Sequence, residues 1–223
     1  MSEILQQESL FEEKLKMWYY EAYQEIGLYD NCNEIDMSYA IFPKKLYMNK
    51  YIVNEKIYDF IFIGGLQTDL ITFLNRKWII KFAKTFFDTR SYLQFTDKKT
   101  KRNYNPIGVY DYTLKTSGFV PKENSDKEIY YVDNNYYNKL SKSRFCLCPA
   151  GNSSWSIRFY EAIFCKAIPI VFSHDHSYRS KLEKNLNYKY YLSSENEFIY
   201  REEWVDHNYR LFLKYHTLQH LMV

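Results

Sequence analysis

The 223-residue chain lacks any apolar run approaching the ~20 residues that span a bilayer. The stretch from Met1 to Glu13 is polar and acidic and has no apolar signal core, so the expected location is the cytoplasm. The chain has little net charge, +3, too small to argue for a nucleic-acid or membrane partner. Cysteines number four: Cys32, Cys146, Cys148 and Cys165. Cys146 and Cys148 share one face of a strand, but no second close pair and no His-x-x-x-His follows, so no metal site is expected. Buried free thiols are the default without a secretory signal. Gly-x-Gly-x-x-Gly is missing, which excludes the dinucleotide fingerprint. No internal repeat, low-complexity segment or second domain boundary occurs.

Aromatic residues are abundant instead, with 24 Tyr and 16 Phe. They can be stacking platforms for sugars or bases, or simply core. Most follow core periodicity, which favours the core. Hydrophobic content of 46% and charged content of 26% are ordinary for a soluble globular protein.

The organising stretch runs from Ser143 to Ser173. Phe145 to Cys148 is a short apolar run stopped by Pro149, and reads as a buried strand. Gly151 permits a tight turn. Asn152, Ser153 or Ser154 is placed to cap a helix running to about Lys166. Ile168 to Phe172 reads as a second strand. Strand, glycine turn, helix and strand make a βαβ unit with parallel strands.

On the helical wheel Trp155, Phe159, Ala162 and Ile163 take one side, and Ile157, Tyr160 and Phe164 most of the other. Ser154, Arg158 and Glu161 remain on a narrow polar stripe beside Cys165. A helix apolar nearly all round is buried on several sides. An Arg and a Glu there cost several kcal/mol unless well hydrogen-bonded. They can form a structural pair at i,i+3. They can equally serve a ligand, a phosphate for Arg158 and hydroxyls for Glu161. The helix N-terminus behind a Gly/Ser turn is an anion site, which favours the ligand.

Ser-x-Phe-Cys-Leu-x-Pro-x-Gly, then Ser-x-Arg-x-x-Glu-Ala, then Ala-Ile-Pro-Ile-Val resembles the signature of exostosin-type glycosyltransferases, in their nucleotide-sugar-binding half. A weaker resemblance extends back to about Tyr58. The resemblance implies a Rossmann-like domain of the GT-B class and inverting transfer from a nucleoside diphosphate sugar. It also implies that Arg158 meets the diphosphate and Glu161 the ribose. Lys166-Ala167 stands where the family usually has Gly-Cys, and Ala150 precedes Gly151 where a larger or basic residue is common. Asp-x-Asp occurs nowhere, so the signature of the metal-bridged donor site is absent and a metal-independent enzyme is expected.

Elsewhere the periodicities predict a helix over 8–26, a strand over 57–65, a helix over 72–87 and a strand over 91–95. Residues 37–53 read as irregular, 97–102 as a charged loop, 106–121 as loop with one strand, and 122–127 as a polar linker. A helix over 134–142, a strand over 188–192 and a helix over 195–220 complete the reading. Gly64 and Gly65 end the 57–65 strand where a ligand backbone could approach. Arg76 and Lys77 could reach a phosphate, although residues so placed are more often solvated. Ser173 to Ser177, with His174, Asp175 and His176, lies at a strand's carboxyl end and could hold a general base.

The expected architecture is α/β. It is a Rossmann-like, mostly parallel sheet, a single GT-B C-terminal-type domain over 57–223, with an N-terminal helical extension over 1–56. The expected function is transfer of a sugar from a nucleoside diphosphate sugar to a glycan or other hydroxyl acceptor. The expected donor-binding residues are Arg158, Glu161, Gly151, Asn152, Ser153, Ser154, Ser156, Gly64 and Gly65. No further cofactor is expected. About 56 residues precede the first strong strand, too few for a second doubly wound domain. Either the reduced N-terminal element over 1–56 supplies the acceptor side, or a protein partner or oligomer does, or the chain is a fragment. A non-catalytic nucleotide-sugar-binding subunit and a fucosyltransferase-like enzyme are the alternatives. An RNA-binding module would need exposed aromatics beside a basic surface.

Overall fold

A computed structural model describes residues 42, 44–66, 70–96, 118–121, 130–150, 156–173 and 187–217. The expected helix over 8–26, the loop over 97–102, the linker over 122–127 and His174 to Ser177 lie outside the described residues.

The first described helix is a single turn, α1 (Lys44–Tyr47), within the stretch expected to be irregular. Strand β1 (Tyr58–Gly64) is the continuous apolar run. The helix expected over 72–87 forms as two, α2 (Leu70–Arg76) and α3 (Trp78–Phe86). The interruption is one residue, and Lys77 keeps helical dihedrals of φ −56 and ψ −26. Strand β2 (Tyr92–Phe95) follows. A separate antiparallel pair joins β3 (Phe119–Pro121) and β4 (Tyr130–Val132). β4 was not expected: three residues are too few to show an alternation.

Helix α4 (Asn134–Ser141) is capped by Asp133, whose carboxylate accepts from the amides of Asn135 and Tyr136. Then come β5 (Ser143–Leu147), α5 (Ile157–Phe164) and β6 (Ile168–Val171). β7 is Tyr191–Leu192, shorter than expected, and α6 is Glu202–Tyr215. The terminal helix starts later than its pattern suggests because Tyr191 holds the intervening chain. The Tyr191 hydroxyl donates to the carbonyl of Ile199 and accepts from its amide, at 3.0 and 3.2 Å.

The main sheet has five strands in the order β2-β1-β5-β6-β7, every neighbouring pair parallel. This is the expected Rossmann-like α/β arrangement. Its strands are buried on both faces, as continuous apolar runs require. Ile61 and Ile63 of β1 enter a layer with Leu140, Phe159, Phe164 and Phe212. Phe62 enters the opposite layer with Trp78, Ile79, Phe82 and Phe145. Much of the aromatic excess lies here: Phe60 stacks on Phe145 at 5.3 Å and meets Phe82 edge-on at 5.6 Å.

Lys56 joins two helix ends. Its ammonium donates to the carbonyls of Ser141 and Cys165, at 2.6 and 3.2 Å. These close α4 and α5, so one cation serves the negative ends of both.

Candidate functional site

The chain leaves β1 for β2 on one side and β5 for β6 on the other, so strand order reverses between β1 and β5. In an open parallel sheet, ligands lie outside the carboxyl ends at such a switch point. The β1–β5 ladder runs through Tyr58–Ser143, Phe60–Phe145 and Ile61–Cys146 and stops there. β1 continues its pairing with β2 as far as Gly64–Phe95. The carboxyl ends of β1 and β5 therefore part.

Arg158 sits in this parting. Ser156 caps α5 by accepting from the Arg158 amide at 3.1 Å. The cap lies later than Asn152 to Ser154, because the helix begins at Ile157. The Arg158 side chain is only 8% exposed. Its guanidinium lies 5.2 Å from the Phe62 ring centroid, and its Nε donates to the Tyr136 hydroxyl at 3.4 Å. A Cβ on Gly64 would lie 3.0 Å from Nη2 and 3.4 Å from Nη1. Among the described residues, neither Nη1 nor Nη2 has a hydrogen-bond or carboxylate partner.

Glu161, one helical turn on, is 1% exposed. Its Oε2 accepts from the Tyr136 hydroxyl at 2.8 Å and its Oε1 from the Tyr137 hydroxyl at 3.0 Å. Burial pushes its carboxyl above the ordinary range, opposed by Arg158 and the two tyrosines. Burial, and next the Glu161 charge, push both tyrosines well up, so they remain donors. Arg158 and Glu161 are thus linked through Tyr136, whose hydroxyl accepts a hydrogen bond from Arg158 and donates one to Glu161. A ribose hydroxyl at Glu161 would have to take the place of one tyrosine. Tyr136 and Tyr137 were not expected at the site, and a Tyr-Tyr pair at a helix start carries no signal by itself.

Gly65 and Arg76 complete the rim. Arg76 donates from Nη1 to the Gly65 carbonyl at 2.8 Å and from Nε to the Ala150 carbonyl at 3.1 Å. The Gly64 carbonyl accepts from the Thr96 amide at 3.1 Å. Gly64, Gly65, Ser156 and Arg158 therefore gather at one place, with Glu161 behind them. Gly151, Asn152, Ser153 and Ser154 lie outside the described residues.

Other candidates lead elsewhere. Cys146, Cys148 and Cys165 are free and buried. Burial holds the thiols of Cys148 and Cys165 well above their ordinary range, which keeps them unreactive. No group of three metal-binding side chains occurs among the described residues. A cavity of about 440 Å³ opens after β6 and β7, lined among others by Trp78, Phe82, Phe172, Ser173, Ser194 and Glu195. Arg158 does not line it.

The exostosin GT47 domain matches residues 69–205. The chain belongs to this family. Two rice proteins (Oryza sativa subsp. japonica), each named a probable glucuronosyltransferase, are 42% identical over 40 residues, 18% of this chain and 10% of each relative. A third of the same name is 39% identical over 41 residues, again 18% of this chain and 10% of the relative. The matched stretch thus spans about a tenth of these relatives.

The departure of this GT47 domain at Lys166 has a local consequence. Lys166 has φ 58, in the left-handed region. Its amide bonds the Ile163 carbonyl, and the Ala167 amide bonds that of Ala162, at 2.9 and 2.8 Å. This is a complete Schellman motif, which favours glycine at the position Lys166 holds. No described helix is long and apolar enough to cross a membrane.

Proposed function

We propose that this GT47 chain supplies the nucleotide-sugar-binding half of a glycosyltransferase. The acceptor oxygen attacks the anomeric carbon, the bond from that carbon to the phosphate oxygen breaks, and the nucleoside diphosphate leaves. The acceptor proton goes to a base. Attack opposite the leaving group inverts the anomeric centre.

The observation that carries the reading is Arg158. A guanidinium only 8% exposed, with two terminal nitrogens unpartnered among the described residues, is an unusual arrangement unless an anion completes it. A diphosphate fits the fork of two donors. The N-terminus of α5 adds its dipole. Together they stabilise the charge developing on the leaving group. This cation takes the place of a bridging metal, so transfer should persist in EDTA. Gly64 and Gly65 supply the close backbone approach. Glu161 receives the ribose, if one of its tyrosines yields, and otherwise acts through Tyr136.

The test is a thermal-shift screen with UDP, GDP and their sugars, nucleoside diphosphate glucuronate included because of the relatives' name. Wild type should be stabilised by at least one nucleotide, and Arg158→Ala by none. Binding without transfer to any of a panel of acceptors would favour a non-catalytic subunit. An Arg158→Ala protein that is stabilised by the same nucleotide as wild type would contradict the reading.

A further inference from the structure

We infer that Arg76 is a positioning residue for the anion site at Arg158. The inference rests on the nucleotide reading above.

The strand pair that frames the site has no backbone ladder where the site lies. β1 and β5 stop pairing after Ile61–Cys146. Beyond that pair no backbone ladder ties the two carboxyl ends directly to each other. Arg76 fills that role. It ends α2, and its guanidinium donates from Nη1 to the Gly65 carbonyl and from Nε to the Ala150 carbonyl, at 2.8 and 3.1 Å. The group is rigid and planar, so its two donors hold the two carbonyls at one relative position. A lysine carries the charge but not the fork.

The two anchored residues are the ones that matter for Arg158. Gly65 follows Gly64, whose missing side chain leaves the space the Arg158 guanidinium occupies. Ala150 lies three residues beyond β5, on the connection that leads to the helix bearing Arg158. A shift in either carbonyl moves a wall of the site relative to the Arg158 nitrogens. Misplacement on the order of 1 Å can cost about a hundredfold where geometry matters.

The experiment titrates UDP, GDP and ADP into the full chain as wild type, Arg76→Lys, Arg76→Ala and Arg158→Gln. The binding nucleotide should bind Arg76→Lys and Arg76→Ala at least about tenfold more weakly, well below their melting temperatures. Millimolar guanidinium should restore affinity to Arg76→Ala, whereas equal NaCl should not, and neither should rescue Arg158→Gln. If wild type binds none of the nucleotides, the nucleotide reading fails and takes this inference with it. If wild type binds and the Arg76 variants bind equally well, only the Arg76 inference falls. It also falls if guanidinium restores nothing, or if both Arg76 variants fail to fold, since Arg76 would then serve stability alone.

Discussion

Gly64 leaves open the volume that the Arg158 guanidinium fills, a Cβ on Gly64 lying 3.0 Å from Arg158 Nη2. The same Cβ would lie 3.1 Å from Cζ of the buried Phe62 ring. Both neighbours would have to give way. Gly64→Ala should therefore weaken nucleotide binding through Arg158, with a stability loss of about 1–3 kcal/mol from overpacking. Titration and denaturant unfolding of the same protein check this. Unchanged affinity would separate Gly64 from the site.

The two tyrosines at Glu161 should behave differently. Tyr136→Phe and Tyr137→Phe each remove one donor from a buried carboxylate, at 2.8 and 3.0 Å, and each should lose about 1–3 kcal/mol of stability. Only Tyr136 also holds Arg158 Nε, so only Tyr136→Phe should lower nucleotide affinity. Equal effects on affinity would remove Tyr136 from its linking role.

Lys56 predicts a pH dependence. Burial is the main cause that lowers its ammonium from 10.5 to about 8, while Cys165 and Glu202 nearby oppose the fall. Between these values the unfolded chain holds more protons than the folded one, so stability rises with pH from about 8 to 10.5. Below that window the folded protein buries a charge. Unfolding of wild type and Lys56→Met at pH 7.5 and at pH 10 should show wild type gaining on the variant at the higher pH. A difference that does not move with pH would contradict the lowered value.

Lys166 should be improvable. Its left-handed φ of 58 carries a steric cost that glycine escapes. Lys166→Gly should gain about 1 kcal/mol, offset slightly by losing the ammonium 5.7 Å from the Tyr209 ring. A rise in melting temperature without a change in nucleotide affinity is the expected result.

Much of this was legible from the chain, for physical reasons that can be located. Arg158 and Glu161 stood out because two charges on an otherwise apolar helix need a reason. β1 and β6 stood out because parallel strands buried on both faces are unbroken apolar runs. The partners were not legible. Tyr136 and Tyr137 meet Glu161 only through folding, and their own stretch reads as an ordinary short helix. Arg76 read as a solvated residue within reach of a phosphate, yet its guanidinium joins two carbonyls distant in sequence. α6 was expected to begin near residue 195, but a tertiary contact from Tyr191 holds 193–200 out of the helix. The cap was placed at Asn152 to Ser154, since several adjacent residues can cap and only the backbone selects Ser156.

The most direct test is a crystal structure of the chain with its binding nucleoside diphosphate. Diphosphate oxygens should lie within about 2.7–3.2 Å of Arg158 Nη1 and Nη2, above Gly64 at the carboxyl ends of β1 and β5. A nucleotide bound elsewhere, with those two nitrogens unengaged, would contradict it.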